Sequence, residues 1–147
     1  MKEVLEVNVS QVMTTDVVSC AIGDPLSRCA DNMRHINVGA MPIIDNDNHV
    51  RGIITDRDIA VRAVASGVDP NQATVGQFMT ADPVTILPEV TVEDAAGIMG
   101  EQQVRRLPVV DQNGCLLGMI SLGDLAVDVG EEAMIAEALE EISVPTR

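Results

Sequence analysis

The sequence predicts an α/β fold in which two β-α-β-β-α repeats pack as one pseudo-twofold module. The first observation behind this is a gapless repeat at an offset of 66 residues. Val9 matches Val75, Met13-Thr14 matches Met79-Thr80, Val18 matches Val84, and Met33 matches Met99. The series continues through Pro42 and Pro108, Gly52 and Gly118, Asp58 and Asp124, to Ala60-Val61 and Ala126-Val127. The second observation is that each copy passes from a short β-type run to a helical stripe and back to β-type runs. The third is a turn signal between two short apolar runs in each copy, Asn46-Asp47-Asn48 and Gln112-Asn113-Gly114. A solenoid needs three or more repeats, and here there are two. One unit alone is marginal, whereas a chain of 147 residues can bury roughly 68–70% of its unfolded surface, so the copies are expected to share a core.

Each copy opens with a segment ending in Met-Thr, followed by the extended runs Val17–Cys20 and Val84–Leu87. A helix comes next. Asp24 is expected to cap it in the first copy with Pro25 at the first helical position, and Thr91 in the second, with Asp94 three residues on. The stripes Leu26, Cys29/Ala30, Met33 and Val92, Ala95/Ala96, Met99 mark half-buried helices. Strands are expected at Ala40–Asp45 and Leu107–Asp111, then at His49–Ile54 and Cys115–Ile120, paired as hairpins. A second helix begins at Thr55 or Ser121 and runs through Ile59–Ala65 or Leu125–Val129. The resulting boundaries are 7–66 for the first repeat, 67–73 for a linker holding Asp69-Pro70, and 74–130 for the second repeat. Residues 131–147 form a tail in which Ile135, Ala138, Leu139 and Ile142 make an apolar helical stripe opposite Glu137, Glu140 and Glu141.

Composition excludes several function classes. Phe78 is the single aromatic residue, so no stacking platform for single-stranded nucleic acid exists. The net charge of −14 opposes phosphate-backbone binding, and nucleic acid is not expected as a partner. Eight of the nine basic residues are Arg, which keeps local anion sites open. No apolar run of membrane-spanning length and no signal-peptide pattern occurs, so the expectation is a cytoplasmic protein without a membrane partner. Cys20, Cys29 and Cys115 show no C-x-x-C spacing, and Cys20 and Cys29 align with Ile86 and Ala95, as small buried hydrophobes would. The alternative, a metal or disulfide role, would draw on Cys20, Cys29, His35 or His49. No metal site and no catalytic residue is assigned: no nucleophile has a plausible base, and His35 and His49 align with Glu101 and Cys115, as surface or strand-edge residues would.

One motif carries chemistry in both copies. Gly52-Ile-Ile-Thr55-Asp-Arg57-Asp58 and Gly118-Met-Ile-Ser121-Leu-Gly-Asp124 share Gly-apolar-Ile-[Thr/Ser]-x-x-Asp. Read structurally, [Thr/Ser]-x-x-Asp is a capping box. Read functionally, the same residues put a hydroxyl and positive potential at a helix start, suited to phosphate, with a carboxylate one turn in that can accept both hydroxyls of a ribose.

With its surroundings, the motif resembles the cystathionine-β-synthase (CBS) domain. The matching residues are Val9-Ser-Gln-Val-Met-Thr14, Met41-Pro-Ile-Ile-Asp45, Gly52 and Thr55–Asp58, then Val75-Gly-Gln-Phe-Met-Thr80, Leu107-Pro-Val-Val-Asp111, Gly118 and Ser121–Asp124. Asn37-Val-Gly-Ala-Met-Pro42, Thr55–Ile59 and Gly67-Val-Asp-Pro70 look most like stand-alone tandem (Bateman) modules, including the bacterial hypoxic-response type. The resemblance implies a regulatory, non-enzymatic module with two clefts between the repeats, each taking an adenosine ligand such as AMP, ADP, ATP or S-adenosylmethionine, with no cofactor beyond that ligand. It implies that Asp58 and Asp124 hold ribose hydroxyls, and that Thr55 and Ser121 face ribose or phosphate. The backbones of Asn37, Val38, Gly39, Ala40, Met41 and Pro42, and of Val104, Arg105, Arg106, Leu107 and Pro108, would border the base, with Val18 and Val84 beside them. Arg105-Arg106 stands where the family often carries phosphate-binding residues and would serve the nucleotide on Asp58, assisted by Arg57. The first copy has Gly39-Ala40 there instead, so unequal clefts are expected. The resemblance also implies a homodimer and a regulated protein partner. The alternative reading is a ligand-free structural scaffold, or one responding to redox state or metal.

Overall fold

The opening segment of each repeat completes the sheet of the other repeat. In a computed structural model that describes residues 7–128 and 138–142, the chain runs α1 (Val9–Val12), β1 (Cys20–Ala21), α2 (Leu26–Ile36), β2 (Ala40–Ile44), β3 (Val50–Thr55) and a π-helix (Asp58–Val64). Then follow α3 (Val75–Phe78), β4 (Thr80–Ala81), α4 (Val92–Gln102), β5 (Arg106–Val110), β6 (Leu116–Ser121) and α5 (Leu122–Asp128). Residues 138–142 are helical.

Two compact units cut across the repeats. The first comprises residues 17–83 and 113–116; the second is built, among the described residues, from 7–16, 84–112, 117–128 and 138–142. In the first unit the strand order is β1-β2-β3-β4. β1 lies parallel to β2, while β2–β3 and β3–β4 are antiparallel. The second unit repeats the plan: Ile86 bridges Val109 in parallel, β5 and β6 pair, and Thr14 bridges Met119 antiparallel. The extended runs expected at Val17–Cys20 and Val84–Leu87 thus shrink to two residues and to a single bridge. The Met-Thr segments gain the strand pairing instead.

Glycine makes that pairing fit. A Cβ on Gly52 would clash with Met79 Sδ and stand 2.9 Å from the Thr80 carbonyl oxygen; one on Gly118 would stand 2.6 Å from the Thr14 carbonyl oxygen and 3.0 Å from Met13 Sδ. These are the same contact, made once in each unit.

Each unit has its own apolar cluster rather than one shared core, and the exchange of opening segments puts both repeats into each. Val75 packs with Leu26, Met33, Met41, Ile43 and Ile54 in the first. Val9 packs with Ala95, Met99, Leu107, Val109, Ile120 and Leu125 in the second. Cys20 and Cys29 are fully buried in the first cluster, as expected of small hydrophobes. The Cys29 thiol is pushed far up by its hydrogen bond with Cys20 and by burial, which leaves it inert.

Helix starts are satisfied in a way the local sequence does not reveal. Pro25, not Asp24, is the N-cap of α2. The amides of Leu26 and Ser27 instead donate to the carbonyls of Ala73 and Pro70 at 2.9 and 3.0 Å, so the segment read as a linker closes the helix. Asp24 Oδ2 accepts the Ala21 amide at 2.9 Å. In the second unit Val92 N donates to Val7 O in the equivalent place, and the Thr91 hydroxyl accepts the Asp94 amide at 3.2 Å as expected.

The helical stripe of the tail docks on α4. Ala138 is buried in the second cluster and Ile142 packs against it, while Gln103 Nε2 donates to the Glu141 carbonyl at 3.2 Å. Leu139, expected on the buried stripe, is 38% exposed, and Ile135 lies outside the described residues. No helix among the described residues is long and apolar enough to cross a membrane.

Candidate functional site

Both [Thr/Ser]-x-x-Asp motifs form reciprocal boxes with matching geometry. The Thr55 amide donates to Asp58 Oδ2 at 3.0 Å while the Asp58 amide donates to Thr55 Oγ at 3.1 Å. In the second unit the Ser121 amide donates to Asp124 Oδ2 at 3.2 Å and the Asp124 amide donates to Ser121 Oγ at 3.1 Å. Each carboxylate therefore spends one oxygen on the box. The Thr55 box opens a π-helix, where Ala65 N donates to Ala60 O five residues back at 3.3 Å. The Ser121 box opens an α-helix.

Within each unit the helix–strand loop is fastened to the box. Asn37 and Gln103 cap α2 and α4 in the left-handed region, both at φ 56, which turns the chain back toward the sheet. Gly39 O then accepts the Asp56 amide at 2.9 Å, and Arg105 O accepts the Leu122 amide at 2.9 Å. The first unit so brings together Asn37, Val38, Gly39, Ala40 and the Thr55–Asp58 box, with Ala40 paired to Thr55 on the ladder. The second brings Val104, Arg105 and Arg106 to the Ser121–Asp124 box by the same bond.

The candidate residues divide by burial. Met41, Pro42, Leu107 and Pro108 are buried, so only their backbones can face a ligand. Val18, Val84 and Val104 are exposed apolar side chains, chemically suited to wall an uncharged ring. Arg57, Arg105 and Arg106 are exposed, and no salt bridge among the described residues engages them. Arg62, which sequence reasoning left out, stands 3.8 Å from Asp58 Oδ1 and donates to the Phe78 carbonyl at 2.9 Å. Its only sequence signal was a cation four residues after Asp58, where the second copy has Asp128.

A second polar cluster occupies the β2–β3 turn, away from the boxes. Asp45 Oδ1 accepts the amides of Asp47 and His49 at 2.9 and 3.0 Å, and Arg51 Nε donates to Asp45 Oδ2 at 2.6 Å. Desolvation raises the Asp45 pKa, but Arg51 and the two amides outweigh it and hold the carboxyl down at about 2. His49 is not a simple surface residue. Its Nδ1 is shielded from solvent, and the residue bridges Cys115 across the strands. His35 is exposed, with Nδ1 2.8 Å from the Asp31 carbonyl.

Comparison with known proteins agrees with this geometry. The CBS domain family matches residues 9–64 and 75–131. The chain is 39% identical to the CBS domain-containing protein YhcV of Bacillus subtilis over 136 residues, 92% of this chain and 95% of that one. A crystal structure of Hypoxic Response Protein I with two coordinated zinc ions is 30% identical, with a TM-score of 0.77 over 83% of this chain and 98% of the other. The fold is also that of CBSX2, solved in complex with AMP, with a TM-score of 0.74 at 24% identity over 86% of this chain and 98% of that one. Two matched copies, the boxes they carry and these similarities together place the chain in the CBS domain family, as a tandem CBS protein.

Proposed function

We propose that this chain is a regulatory module that binds an adenosine-containing ligand and signals its level to a protein partner, without catalysing a reaction. The observation that carries the reading is the pair of matching boxes, each fastened to a helix–strand loop by the same backbone hydrogen bond. A carboxylate held by one oxygen in such a box keeps acceptor capacity for a ribose diol. Exposed valines offer an apolar wall to a base, and exposed arginines offer donors to phosphate. The AMP complex of CBSX2, which shares the fold, supports an adenine nucleotide as the first ligand to try. Assembly as a homodimer is part of the reading. Val61 and Val64, exposed three residues apart on the π-helix, are apolar surface that such an assembly would cover.

The test is a thermal-shift screen of AMP, ADP, ATP and S-adenosylmethionine, read with an extrinsic dye because the chain has no Trp. A concentration-dependent rise in Tm with one of them, confirmed by calorimetry, supports the reading. No shift with any of the four sinks it and favours a ligand-free scaffold, in which the boxes serve only as caps. A monomer by light scattering at tens of micromolar would remove the dimer from the reading.

A further inference from the structure

The β2–β3 turn gathers three metal-capable side chains on alternate residues, Asp45, Asp47 and His49. One donor atom from each lies within 4.8 Å of the other two. The backbone builds this arrangement. Asp45 Oδ1 is held by the amides of Asp47 and His49, and Asn48 takes a left-handed φ of 65. His49 Nδ1 lies 3.5 Å from the remaining oxygen, Oδ2.

Two details of this turn suit a cation. First, Nδ1 is shielded from solvent and has no hydrogen-bond partner among the described residues. A shielded ring nitrogen with no hydrogen bond, and only an Asp45 oxygen 3.5 Å away to pair with when protonated, is costly, and a metal ion supplies a partner. Second, the separation of 3.5 Å between Nδ1 and Oδ2 is close to the edge of a tetrahedron of N and O ligands. With ligands about 2.1 Å from a central ion, that edge is roughly 3.4 Å. Asp45 Oδ2 already attracts positive charge in the form of Arg51 Nε at 2.6 Å. The Arg51 side chain is half exposed and can swing into water.

We propose that Asp45, Asp47 and His49 form a binding site for a borderline divalent transition ion of the Zn2+ class, with Arg51 as the resident cation that the ion displaces. The imidazole ligand selects against Ca2+ and Mg2+, which take oxygen ligands. Three protein ligands leave the fourth position of a tetrahedral ion to water. Cys115 stands next to the site, across the His49 bridge, and directs its thiol at the Asp47 carbonyl 3.6 Å away. The second copy has Asp111, Asn113 and Cys115 at the equivalent positions, so the Asp-x-Asp-x-His set occurs in the first copy only.

The experiment uses the full chain stripped of metal, with no nucleotide present, titrated with Zn2+ by calorimetry and with Co2+ by its visible absorption. One ion per chain is expected at this site. His49→Gln and Asp47→Asn should each weaken binding about tenfold or more, and Arg51→Ala should tighten it. Far-ultraviolet circular dichroism of each variant checks that the fold is kept. The absence of Zn2+ binding in the unaltered chain overturns the proposal, as does binding that His49→Gln and Asp47→Asn leave unchanged. Because no nucleotide is present, the result does not depend on the adenosine reading.

Discussion

The carbonyl of Gly39 accepts the amide of Asp56 at 2.9 Å, tying the loop after α2 to the start of the π-helix. Arg105 and Leu122 make the same bond in the other unit. Loop and box are therefore tied together before any ligand arrives, which lowers the ordering cost for a ligand that touches both.

If Asp58 and Asp124 hold ribose, their removal should not be equivalent. Arg57 stands inside the first box with an exposed guanidinium, and Gly123 stands in its place in the second. A charge-assisted hydrogen bond is worth roughly 1.5–3 kcal/mol, enough for an affinity gap of about tenfold. Calorimetry should show that Asp58→Asn costs more AMP affinity than Asp124→Asn. The reverse order would assign the stronger site to the second box. The Asn variants keep an acceptor for the Thr55 or Ser121 amide, so the caps survive.

The boxes also stabilise the fold on their own. Thr55→Ala and Ser121→Ala each remove the hydroxyl that accepts the Asp58 or Asp124 amide. Each should cost about 1 kcal/mol in chemical denaturation. An unchanged midpoint for both would show that water replaces the hydroxyl without loss.

Gly52 and Gly118 should tolerate no side chain. An added Cβ at either meets a backbone carbonyl under 3 Å away, so the opening segment must shift. Gly52→Ala and Gly118→Ala should each cost about 1–3 kcal/mol. For a chain of this length that lowers Tm by about 2–4 °C per kcal/mol. Wild-type stability in both variants would mean that the Met-Thr pairing is dispensable.

Removing the tail after Gly130 should destabilise the second unit. Ala138 is buried and Ile142 packs on the same cluster, so the described contacts are worth roughly 1–3 kcal/mol before ordering costs. Gly100→Val tests the contact without truncation. A Cβ there already stands 2.8 Å from Glu141 Oε2 and 3.4 Å from the Ala138 Cα. An unaltered melting curve in both variants would mean that the tail contributes nothing.

Much of this was legible in the sequence because the relevant forces are local. The stripe through Leu26, Cys29 and Met33, the turn at Asn46–Asn48, and the Thr55–Asp58 box are each set by neighbours within a few residues, and each forms where expected. The exchange of opening segments was not legible, for a reason inherent in a repeat. Met13-Thr14 and Met79-Thr80 are the same dipeptide, as likewise are the glycines they pack on, so local sequence cannot say which meets which. The cap of α2 failed for a related reason. Asp24-Pro25 looks like a helix start, but the carbonyls of Pro70 and Ala73 arrive from more than forty residues away and take the amides. His49 sits at the strand edge, one of the two places expected for it, but nothing in its neighbours announces that its ring nitrogen is shielded.

The pairing of Thr14 with Met119 has a consequence for how the protein is made. At about 5–20 residues per second, the ribosome needs roughly 5–20 s to travel between those two positions. Until Ile86–Met99 emerge, Val9 has none of its native partners on the chain and Val12 waits with it, whereas residues 17–83 can begin to assemble as soon as Thr80 and Ala81 clear the exit tunnel. The stretch synthesised early is thus among the last to be seated, and while it waits its apolar side chains are open to chaperones or to a neighbouring nascent copy.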